Sequence, residues 1–97
     1  MSSKIKQAIE RRSRLRLYYK DSSIIVEPYA FGIDREGESL LLCFQADIPS
    51  MLNTQEGWKV IPLSEVLSIE FLNETFGQIQ SGYIRNHPAF HTVLIQV

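Results

Sequence analysis

Cysteine occurs once, at Cys43, so no internal disulfide can form and nothing points to an oxidising compartment. No apolar run approaches the ~18 residues needed to cross a bilayer. The N-terminal Met-Ser-Ser-Lys-Ile-Lys is charged but has no apolar stretch behind it, unlike a secretory signal. A cytoplasmic location and no membrane partner are expected. The chain also lacks Gly-x-Ser-x-Gly, His-Glu-x-x-His, a Walker loop and Gly-x-Gly-x-x-Gly. Its carboxylates fall in turns and at strand positions expected to be exposed, so no pair stands out for acid–base work. His87 and His91 are four apart and would share a helix face as zinc ligands can, but no third ligand lies near them in sequence. Catalytic residues, metal ligands and cofactors are therefore not expected, and the protein is read as non-enzymatic.

What is present fits one small domain. The 97 residues are 44% hydrophobic and 22% charged, enough apolar surface to offset the entropy of ordering without staples. The net charge of −1 hides an asymmetry. Residues 1–20 hold seven basic side chains against one acid, Glu10, whereas residues 21–97 hold three against ten. A basic segment on an acidic body can attract phosphate, or it can be solvated and pair with the acids around it.

Periodicity divides the chain into elements. Lys4–Ser13 reads as a helix capped by Ser2 or Ser3, with Ile5, Ala8 and Ile9 on one face and Arg12 in the same sector. Arg12 there either snorkels off the end of that face or lines a pocket between helix and sheet. Alternation of period two follows. Leu15, Leu17 and Tyr19 point one way, and Arg14, Arg16, Tyr18 and Lys20 point the other. Ile24–Glu27 and Tyr29–Ile33 read as strand on either side of Pro28, where a bend would let one long strand serve two sides of a barrel. Asp34–Gly37 is a hairpin turn, Glu38–Gln45 a buried strand containing Cys43 as a small core residue, and residues 46–56 a long loop. Trp58–Leu63 and Leu67–Phe71 are further strands around a tight turn at Ser64–Val66. The expected core includes Ile5, Ile9, Leu15, Leu17, Leu40, Leu42, Ile69 and Phe71. In the extension, residues 73–97, two readings stand: a helix begun at Asn86-His87-Pro88, or a strand over Thr92–Val97. Its apolar content predicts that it docks on the domain or on a second copy, which makes a homodimer through this segment one expectation.

Arg12, Arg14, Arg16, Tyr18, Lys20 and Tyr29 form the candidate ligand-binding set. Arginine forks match phosphates, and flat aromatic rings stack on bases. At ~3.3 Å per residue, Arg14 and Arg16 lie about 7 Å apart on one strand face, near the spacing of successive phosphates.

Three segments in order, Ile5–Lys20, Val26-Glu-Pro-Tyr-Ala-Phe-Gly-Ile33 and Trp58–Ile69, resemble the WYL domain, the ligand-sensing module of many bacterial regulators. The resemblance covers about residues 4–72. It implies a mainly β (α+β) fold, an N-terminal helix followed by a small SH3-like or Sm-like antiparallel β-barrel. It further implies a regulatory module that binds an anionic ligand, either a nucleotide or short single-stranded nucleic acid. The alternative is a protein–protein interaction or oligomerisation domain. The expectation is a divergent, stand-alone member without the usual winged-helix DNA-binding domain. The naming triplet Trp-Tyr-Leu falls on Ser39-Leu40-Leu41, and the basic residues of the closing segment, which in the family line the groove, fall on Pro62 and Glu65.

Overall fold

A computed structural model describes residues 1–47 and 57–97. Beyond Asp47, the loop expected over residues 46–56 lies outside them. The described elements are α1 (Ser2–Arg11), β1 (Ser13–Tyr19), β2 (Ser22–Ile33), β3 (Ser39–Gln45), β4 (Trp58–Pro62), a 3-10 turn (Leu63–Glu65), β5 (Val66–Thr75) and β6 (Thr92–Gln96). The fold is mainly β, with one N-terminal helix and a six-stranded antiparallel sheet among the described residues.

Helix α1 forms because Ile5, Ala8 and Ile9 recur at helical spacing, and all three are buried against the sheet. It begins at Met1, with no serine side chain capping it. It ends at Arg12, which adopts a left-handed conformation (φ 53°, ψ 46°) and donates its N–H back to the Ala8 and Ile9 carbonyls. This turn carries Arg12 off the end of the helix, and its side chain is exposed.

The strand order is β4-β3-β2-β1-β5, with β6 added to β2. One edge of β2 therefore serves two strands. Its Ser22–Val26 half pairs with β1, and its Ala30–Ile33 half pairs with β6. The outermost strands of the path, β4 and β5, are neighbours in sequence, joined only by Leu63–Glu65. Three linking residues reach at most about 14 Å even when extended. The sheet must therefore curl until its two edges approach at that corner. β4 and β5 do not pair, so the sheet stays open there.

The expected bend in β2 is a bulge. Pro28 pairs with Cys43 and Ala30 with Leu42, leaving Tyr29 as the extra residue. Proline is tolerated beside a bulge because one ladder donor is already lost there. As a result Tyr29 and Ala30 both face away from α1, while Val26 and Phe31 face toward it. Both faces of the sheet are covered at this point. α1 lies on one, over Leu15, Leu17, Val26, Phe31, Leu41 and Cys43. The C-terminal extension lies on the other, where Phe76, Tyr83 and Phe90 pack on Tyr29, Leu42 and Trp58.

The extension resolves as strand β6, with a turn rather than a helix at residues 85–89, where Asn86 has φ 55°. Val97 N–H donates to the Tyr29 carbonyl and His91 N–H to that of Ile33. Gly32 allows this docking. A Cβ there would sit 2.3 Å from the Thr92 carbonyl oxygen and 2.7 Å from the Phe90 ring. Of the expected core, Phe71 departs: it is 36% exposed, on β5, which has no strand on its outer side among the described residues.

Candidate functional site

The alternation in β1 aligns Arg14 and Arg16 as expected, but each is already paired. The Arg14 Nε and Nη2 both donate to Glu27 Oε2 (3.1 and 3.0 Å), and Nη1 donates to Glu74 Oε1 (3.3 Å). Arg16, whose register partner on β5 is Glu70, donates from Nε to Glu70 Oε1 at 3.1 Å. The carboxylates expected to lie exposed therefore include one that is not. Glu27 is 1% exposed. Its second oxygen, Oε1, accepts from the Tyr29 hydroxyl at 3.0 Å and from Gln80 Nε2 at 3.4 Å, and the hydroxyl itself accepts from Gln80 N–H at 3.0 Å. The buried charge is thus hydrogen-bonded on both oxygens, as its burial requires. This network ties β1, β2 and the extension together.

Titration behaviour follows from these contacts. Burial works against the Arg14 charge, but hydrogen bonds to Glu27 and Glu74 and their negative charge prevail, leaving its pKa above the ordinary value. Burial pushes the Tyr29 phenol well up, against the Gln80 N–H bond that favours the phenolate. Burial likewise raises the Cys43 thiol to about 12, although nearby Lys59 pulls the other way, so Cys43 is the inert core residue its sequence position suggests.

Tyr29 is fully buried and has no face open to a base. Tyr18, 39% exposed, and Lys20 lie on the open surface. Lys20, with φ 54° in the β1–β2 turn, holds its Nζ 5.7 Å from the Tyr19 ring centroid. It also reaches a depression of about 230 Å³ at the open corner of the sheet, lined by Tyr19, Lys20, Lys59, Val60, Ile61, Pro62 and Glu65. Neither Lys20 nor Lys59 forms an ion pair with a described residue. Of the six expected ligand-binding residues, only Lys20 lines this depression. Sequence reasoning missed Lys59, which alternation along β4 could have set beside Cys43 only once the β3–β4 register was known.

His87 and His91 do not share a helix. His87 Nδ1 accepts the Ala89 N–H at 3.1 Å and its ring meets Phe90 edge-on. The C-terminal segment, expected to dock on the domain or on a second copy, is engaged within the chain through β6, although Leu94, Ile84 and Ile79 remain exposed. No helix among the described residues is long and apolar enough to cross a membrane. No protein-family model, curated protein or solved structure matches the chain.

Proposed function

We propose that the chain is a non-enzymatic, WYL-like regulatory binding module with an Sm-like open barrel. Its ligand is anionic, a nucleotide or a short single-stranded nucleic acid, and it is held at Lys20 and Lys59. The strand order β4-β3-β2-β1-β5 behind an N-terminal helix, with the edges drawn together by a three-residue joint, supports the barrel reading. One observation carries the functional reading. Lys20 and Lys59 come from different parts of the sheet to a depression that also contains Pro62 and Glu65. Those two positions are where the resemblance puts the family's basic groove. The positive charge absent from them is supplied by their neighbours in space. Tyr19 adds a flat ring for stacking. Glu65 opposes an anion, so affinity is modest and depends on low salt.

The test is a titration with a nucleoside monophosphate and with single-stranded RNA and DNA at rising salt. Two lysines neutralising two phosphates of a single strand give a slope of log K against log salt of roughly −1.4. The rival reading, an interaction domain, draws on Leu67, 73% exposed, and Phe71 on the outer strand β5. Absence of saturable anion binding at low salt, together with self-association in sedimentation, replaces the first reading by the second.

A further inference from the structure

Apart from the anion depression, a second recess of about 230 Å³ lies where the extension crosses the sheet, lined by Leu42, Trp58, Gly82, Ile84 and His87. We infer that this recess is a binding site for a small, uncharged, planar heteroaromatic ring. Its size is right, because a cavity of about 150 Å³ holds benzene and drug-sized ligands need about 300 Å³ or more. One ring or two fused rings therefore fit.

The wall is fixed before any ligand arrives. The Trp58 indole N–H donates to the Ser81 carbonyl at 2.8 Å, Tyr83 stacks on the ring at 5.8 Å, and Phe44 and Tyr29 meet it edge-on at 5.3 and 4.8 Å. A held aromatic platform loses little entropy on binding. Gly82 keeps the recess open: a Cβ there would stand 3.0 Å from the indole nitrogen, and its φ of 93° excludes most side chains in any case. His87 supplies direction. Its Nδ1 accepts the Ala89 N–H, so in the neutral ring the proton sits on Nε2, a donor for a ring nitrogen of the ligand. Aromatic wall, apolar floor and one donor select a flat heterocycle over a saturated ring.

Trp58 is the only tryptophan in the chain, so its emission reports on the wall of this recess. Titration of the whole protein with adenine at neutral pH is expected to change that emission saturably, and cyclohexanol is expected to bind at least about tenfold more weakly. Ile84→Asp changes an exposed position and leaves the fold intact, yet is expected to weaken adenine about tenfold or more. His87→Asn keeps an acceptor for the Ala89 N–H but loses the ring donor, and is expected to cost roughly two- to tenfold. Lys20→Ala with Lys59→Ala is expected to leave adenine binding unchanged, which separates this site from the anion depression. An unsaturable emission change, equal affinity for cyclohexanol, or full binding by Ile84→Asp overturns the assignment.

Discussion

Arg14 and Arg16 on β1, and Lys20 and Lys59 at the open corner, are each a pair of cations. Their surroundings differ. The arginines face β5 and the buried end of β2, where Glu70, Glu74 and Glu27 meet them at 3.0–3.3 Å. The lysines face a depression whose one lining acid is Glu65. Arg14 and Arg16 are therefore neutralised in space, whereas Lys20 and Lys59 meet no ion-pair partner among the described residues. Charge density along a chain measures binding potential only after the strand register has decided which carboxylates stand opposite.

The comparison breaks most visibly at Glu27. Glu27→Ala leaves Arg14 half-paired and the Tyr29 hydroxyl without its acceptor, and should lower unfolding stability in urea by about 2–3 kcal/mol. A loss below 1 kcal/mol would mean that the network is incidental. Tyr29→Phe removes the hydroxyl that links Glu27 to Gln80, and should cost about 1–2 kcal/mol at neutral pH. Its pH dependence sharpens the point. The folded phenol titrates above its unfolded value of 10.0, so above about pH 10 the unfolded chain has released a proton that the folded chain keeps. The stabilisation from Tyr29 is complete below that pH and is lost as pH rises toward the folded pKa. Alkaline unfolding followed by circular dichroism should consequently be less steep in Tyr29→Phe than in the parent above pH 10. Smallest is Arg16→Ala. Its pair with Glu70 is exposed on both sides, so the change should cost no more than about 1 kcal/mol and leave anion binding intact.

Periodicity made most of the fold legible. The helical spacing of Ile5, Ala8 and Ile9, and the two-residue alternation of Leu15 and Leu17, marked faces that are buried as expected. It failed where both faces of a strand are covered. Val26–Gly32 is buried throughout, because α1 and the extension sandwich it and the Tyr29 bulge turns the pattern over. The choice between helix and strand at residues 86–97 was open in sequence because the deciding contact is remote: Gly32 leaves room for the Thr92 carbonyl. The site was less legible than the fold. Glu27 reads as an ordinary strand acid, and its burial is tolerable only because Arg14, 13 residues before it, and Gln80, 53 residues after it, reach it. Lys59 reads as an isolated surface charge until the curl of the sheet brings it to Lys20.

The central claim, that an anionic ligand is held at Lys20 and Lys59 and not at Arg14 and Arg16, is tested most directly by one comparison. Binding of a fluorescent single-stranded oligonucleotide at low salt should be measured for the parent, for Arg16→Ala and for the Lys20→Ala, Lys59→Ala double variant. Saturable binding that survives Arg16→Ala and disappears in the double lysine variant is the predicted result. Binding that is lost in Arg16→Ala and kept in the double lysine variant would contradict it.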